Sequence, residues 1–93
     1  MSVSVRIPTI LRTYTDGAKD LSVEPGEPTL AALLDALEAA APGIRARVLD
    51  ESGALRRFVN VYVDEEDVRF TDGLATPVPD GASVSIIPAV AGG

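Results

Sequence analysis

Ninety-three residues, 46% hydrophobic and 24% charged, describe one small folded domain with a single core rather than a deep catalytic cavity. A net charge of -6, from 8 Lys and Arg against 14 Asp and Glu, disfavours a binder that neutralises nucleic-acid phosphates, and it points any charged partner towards the basic side. Cys and His are both absent, which removes disulfides, thiolate nucleophiles, Ser-His relays and the usual zinc ligand sets. Chemistry is left to carboxylates, the lone lysine Lys19, arginines, hydroxyls or the chain terminus. No apolar run reaches the roughly 18 residues of a membrane span, and Met1 to Arg6 lacks the basic and apolar regions of a signal peptide. The expectation is a cytoplasmic protein that meets neither membrane nor nucleic acid.

In chain order, Val3, Val5 and Ile7 alternate with Ser4, Arg6 and Pro8, the period of a strand with one buried face. Asp16-Gly17 suits a tight turn, after which Leu21 and Val23 alternate with Asp20 and Ser22 in a strand that returns antiparallel and ends at Pro25-Gly26. Thr29 is placed to cap a helix whose Leu30, Leu33, Leu34 and Leu37 fall on one stripe, with Asp35 and Glu38 on the wet face and Pro42-Gly43 as the stop near Ala41. That stripe reads as core. From Ile44 to Arg57 the pattern is weak and reads as a loop with room for a short helical turn. Phe58 to Val63 is the most β-prone run and, apolar on both faces apart from Asn60, is expected well inside a sheet. Asp64 to Asp67 reads as a solvated acidic turn without the spacing of a calcium loop, and Val68-Arg69-Phe70 as a short edge strand. Asp72-Gly73 and Asp80-Gly81 are turns, and Val84 with Ile86 marks the last strand.

A hairpin, a crossover helix and further strands give an α+β chain: a mixed sheet of four to five strands with one main helix on one face and an extended C-terminal tail. The opposite sheet face is left partly open, as surfaces offered to partners commonly are. This is the β-grasp, or ubiquitin-like, arrangement, with residues 1–88 as the domain and 89–93 as a flexible tail. Pro88 cannot donate to a ladder and is a natural point of departure from the sheet. Beyond it, Ala89-Val90-Ala91-Gly92-Gly93 offers little to pack. Two residues without Cβ can thread a narrow channel, although small, frayed termini are common and an inert tail stays open on these grounds alone.

The stretches Phe58 to Val63, Glu66 to Phe70, Asp72-Gly73-Leu74, Asp80-Gly81 and Ile86 to Gly93 resemble the MoaD/ThiS family of prokaryotic sulfur carriers, and the likeness begins at Ile7-Pro8-Thr9-Ile10-Leu11-Arg12. Ala89, where molybdopterin carriers tend to have a second proline, and the longer segment between Asn60 and Asp80 turn the resemblance towards the CysO type, which serves cysteine biosynthesis. It implies a protein substrate rather than an enzyme, with no catalytic residue, no metal and no tightly bound cofactor. An E1-like adenylating and sulfurtransferase enzyme would activate Gly93 with ATP, and exchange of AMP for sulfur would leave a thiocarboxylate. That sulfur would then pass to a serine activated on a pyridoxal-phosphate-dependent cysteine synthase. A zinc metalloprotease of the JAB/MPN type would release the product. The resemblance further implies that Ala89, Val90, Ala91 and Gly92 thread into partner active sites and that Arg12, Phe70 and Ile87 belong to the surface facing the activating enzyme. Without the resemblance, Arg12 reads as an exposed strand-end arginine. Asn60 is expected to bond nearby backbone. Carriers for molybdopterin, thiamine or tRNA thiolation, a ubiquitin-like modifier joined to lysines, and a plain binding module remain as alternatives. Lysine-linked chains of the protein itself are disfavoured by its single lysine, and a monomer is the simplest expectation.

Overall fold

Alternation of apolar and polar residues builds the sheet. A computed structural model describes residues 2–88, and in it β1 (Val3–Arg6), β2 (Asp20–Val23), β3 (Val59–Val63), β4 (Glu66–Asp67) and β5 (Ser83–Pro88) form one sheet in the order β2-β1-β5-β3-β4. β1 is antiparallel to β2 and parallel to β5, while β3 runs antiparallel to both β5 and β4. Val3, Val5, Val23, Val59, Val61, Val63, Val84 and Ile86 turn inward and are buried. Their neighbours Ser4, Arg6, Ser22, Ser83 and Ile87 face the open side.

One helix closes the buried face. α1 (Leu30–Ala40) presents Leu30, Leu33, Leu34 and Leu37, each fully buried, and the Thr29 side chain accepts a hydrogen bond of 3.2 Å from the Ala32 N–H at its N-terminus. Four such side chains contribute about 2 kcal/mol each in apolar burial, a large share for a domain of this size. The expected stop holds, since α1 ends at Ala40 and the chain turns at Gly43 with φ +99°. The segment read as a loop contains the short helix α2 (Arg45–Val48), followed by a bridge between Leu49 and Leu55. Asp50 folds the intervening turn by accepting hydrogen bonds from the Ser52 N–H, the Ser52 hydroxyl and the Ala54 N–H.

Four expectations are corrected. β1 and β2 are not joined by a tight Asp16-Gly17 turn alone: a 3-10 helix, Thr9–Thr15, intervenes because Leu11 is apolar enough to be buried against the core. The edge strand is Glu66–Asp67 rather than Val68 to Phe70. Val68–Phe70 is instead a 3-10 helix, started by Asp67 accepting from the Arg69 N–H at 2.9 Å and anchored by the buried Val68. Within the acidic segment only Asp64 and Glu65 form the turn, both at positive φ, as a two-residue hairpin between Val63 and Glu66 demands. Phe58 falls one residue outside β3, because the ladder ends where Val59 faces Pro88, a residue with no N–H to give.

Candidate functional site at the end of β5

The strand that carries the chain terminus lies in the middle of the sheet. β5 is paired on one side with β1 (Ser4 with Ser83 through Arg6 with Ser85) and on the other with β3, from Val63 opposite Val84 to Val59 opposite Pro88. The ladder with β1 stops at Ser85 and the ladder with β3 alone reaches Pro88, so whatever follows leaves from a base held on one edge. Ala89, Val90, Ala91, Gly92 and Gly93 lie outside the described residues.

Around this base one predicted surface residue lies where expected and two do not. Ile87 is on the open sheet face opposite Asn60 and is 49% exposed. Phe70 is 87% exposed but belongs to the Val68–Phe70 3-10 helix, off the sheet. Arg12 is no strand-end residue: it sits in the Thr9–Thr15 helix, partly buried, and its Nε donates to the Ile7 carbonyl at 3.2 Å. Asn60 finds a side chain rather than backbone, its Oδ1 accepting from Arg69 Nη1 at 2.6 Å. The second arm of the same guanidinium donates to the Arg56 carbonyl at 2.6 Å. This fork ties the start of β3 to the helix bearing Phe70, and Asn60 is the link between Phe70 and Ile87. A polar residue alone on an apolar strand announced a partner, but nothing in the sequence identified Arg69 as that partner.

The Thr9–Thr15 helix is braced from outside. Arg47 Nε donates to the Tyr14 hydroxyl at 2.7 Å, and its guanidinium carbon lies 5.9 Å from the centre of the same ring. That hydrogen bond holds the Arg47 pKa above its ordinary value. Glu38, near the end of α1, accepts from the N–H groups of Gly43 and Arg45, which draw its pKa down, Gly43 most strongly. Asp50 is likewise lowered, first by the Ser52 hydroxyl and then by the Ala54 N–H. The acidic hairpin is structural, with Asp64 Oδ1 accepting from the Ser83 N–H at 2.9 Å. Among the described residues no group of three or more carboxylates is arranged to hold a metal, and no helix is long and apolar enough to cross a membrane.

The described residues offer a platform beneath a chain end, with exposed apolar and cationic side chains beside it. Comparison with known proteins agrees. The chain is 56% identical over 95 residues to the "Sulfur carrier protein CysO" of Mycobacterium tuberculosis, covering 100% of both chains. The crystal structure of that organism's CysO superposes with a TM-score of 0.85 at 54% identity, covering 95% of this chain and 99% of the other. A chain of the Amycolatopsis orientalis BexX/CysO complex gives 0.86 at 52% identity, covering 98% and 99% respectively. A ThiS family model matches residues 5–93, and the protein belongs to that family.

Proposed function

We propose that this protein is a sulfur carrier of the CysO type, a substrate for other enzymes, whose reactive atom is on its own terminal carboxyl group. The observation that carries the reading is the 56% identity to a sulfur carrier protein across the full length of both chains. The absence of Cys and His agrees with it, since no side chain is left to hold sulfur covalently. A free carboxylate is a poor electrophile. An E1-like enzyme would join Gly93 to AMP from ATP with release of pyrophosphate, and a sulfide equivalent would displace AMP to leave a thiocarboxylate. That anion is the nucleophile the chain otherwise lacks. On a pyridoxal-phosphate-dependent cysteine synthase it would form the new carbon-sulfur bond to an activated serine, and a zinc metalloprotease of the JAB/MPN type would hydrolyse the product from Gly93. Ala89 to Gly92 would serve as the leader that reaches buried sites, with Arg12, Phe70 and Ile87 facing the activating enzyme. ATP and pyridoxal phosphate belong to the partners.

Deletion of Gly93 tests the reading. It is expected to abolish ATP-dependent activation while leaving the unfolding temperature unchanged, and intact-mass analysis of activated wild-type protein should show one oxygen replaced by sulfur. Activation that persists without Gly93 would refute it.

A further inference from the structure

The net charge conceals where the charge lies. At the end of the sheet where β5 begins, residues 24–29, 64–66 and 79–83 contain Glu24, Glu27, Asp64, Glu65, Glu66 and Asp80 and no Lys or Arg. At the other end, where β5 finishes, Arg12, Arg56, Arg57 and Arg69 come from three elements, alongside two acids: Asp20, which pairs with Arg6, and Asp50, which lies beside Arg56, Arg57 and Phe58. Val59, opposite Pro88, donates its N–H to the Arg56 carbonyl at 3.1 Å, which places Arg56 and Arg57 at the ladder's end. Arg69 reaches Asn60, the partner of Ile87. Arg12 is tied to Ile7, one residue past the pairing of Arg6 with Ser85.

Three of these four cations are positioned by hydrogen bonds, and none of the four is in an ion pair among the described residues. The ion pairs among the described residues are Arg6 with Asp20 and Arg45 with Asp35, neither of which involves them. Arg12, Arg56 and Arg69 are held instead by neutral oxygens, those of Ile7, of Ala46 at 2.9 Å, and of Asn60 and Arg56. Such bonds fix a guanidinium and leave its charge uncancelled. Asp50 is the acid that feels Arg56, and that attraction is the weakest of the influences lowering its pKa. Phe58, 54% exposed, and Ile87 supply apolar area at the same end. Arginines and aromatics are the residues enriched at the centres of protein interfaces.

We propose that Arg12, Arg56, Arg57 and Arg69, with Phe58 and Ile87, form the docking surface for a protein whose complementary face is acidic, the same partner that takes up the chain end. This rests on the carrier reading and names the chemistry of the partner, opposite in sign to what the net charge alone indicates. Cations gathered at the tail end draw that end towards an acidic face, which raises the rate of productive encounter.

The test is adenylation of the full-length protein by the ATP-dependent activating enzyme of the same genome, followed by pyrophosphate release at varied carrier concentration. The variant Arg12→Glu/Arg57→Glu is expected to lower kcat/KM about 10-fold through KM, with kcat within about two-fold of wild type. The defect should shrink between about 0.05 M and 0.5 M salt, as the screening length shortens from about 14 Å to about 4 Å. Glu24→Arg/Glu27→Arg, an equal and opposite change of charge at the far end, should stay within about two-fold of wild type, since rim charges act locally. Arg57 makes no hydrogen bond among the described residues, so Arg57→Glu alone guards against a folding artefact and should show about a three-fold loss. An unaffected kcat/KM in the arginine variants, with Gly93 deletion still abolishing activation, overturns the proposal and spares the carrier reading. Activation that survives Gly93 deletion overturns both. Equal and opposite shifts from the two double variants would mean that net charge acts without a local surface, and would also overturn it. Single-stranded RNA bound at physiological salt and released by the arginine reversal would assign the surface to nucleic acid instead.

Discussion

Replacing Gly43 with Ala separates two costs that usually arrive together. Gly43 has φ +99°, and a Cβ there would lie 3.0 Å from Tyr14 Cε1 and 3.1 Å from Cδ1. Gly53 has φ +87° but open space around the same position. The backbone term, about 1 to 2 kcal/mol for a side chain in left-handed conformation, applies to both substitutions. Only Gly43→Ala adds overpacking, about 1 to 3 kcal/mol, and the Tyr14 ring cannot swing away freely because its hydroxyl accepts from Arg47. Gly53→Ala should therefore lower stability by about 1 to 2 kcal/mol and Gly43→Ala by about 2 to 4. With about 4 to 8 °C lost per kcal/mol in a domain of this size, circular-dichroism melts should separate the two variants clearly. Adding Tyr14→Ala to each should remove the difference, since it deletes the ring and keeps the backbone term. Equal melting temperatures for the two single variants would refute the reasoning.

Leu37→Ala empties a fully buried position on the last turn of α1 and should cost about 2 to 5 kcal/mol in urea unfolding, without altering the order of the sheet. A loss below about 1 kcal/mol would mean the core collapses around the gap. Acid should weaken the fold through Glu38, whose carboxyl is held below its usual 4.5 by the N–H groups of Gly43 and Arg45. A lowered pKa adds stability that is complete above the unfolded value and disappears as the pH falls through the folded one, so urea midpoints should drop between about pH 5 and pH 3. Glu38→Gln should flatten that slope, and a wild-type slope in the variant would count against it. Asp50 acts with the same sign.

The β-grasp plan was legible because its elements follow from local rules. Period-two alternation gave β1, β2 and β5, β propensity gave β3, the leucine spacing with Thr29 gave α1, and Pro42-Gly43 gave its end. Where local rules compete with burial, the reading failed. Leu11 made a helix where a tight turn was expected, and Asp67 with Val68 made a helix where an edge strand was expected. The lowered pKa values of Glu38 and Asp50 depend on N–H groups several residues away whose direction only the folded backbone fixes.

By itself the sequence determined that this protein carries no side chain of the thiol or imidazole kind, because composition is independent of folding, while its resemblance to the sulfur carriers is what directs attention to the Gly-Gly end. Only the tertiary structure decided what surrounds that end. Arg12, Arg56, Arg57 and Arg69 are scattered through the chain among a larger number of acids, so the sequence yields only their sum with the acids, a net charge of -6. The parallel pairing of β1 with β5 and the antiparallel pairing of β3 with β5 bring them to one end of the sheet and leave the acidic hairpin at the other. Electrostatic interaction depends on distance as well as sign, and distance is a property of the fold.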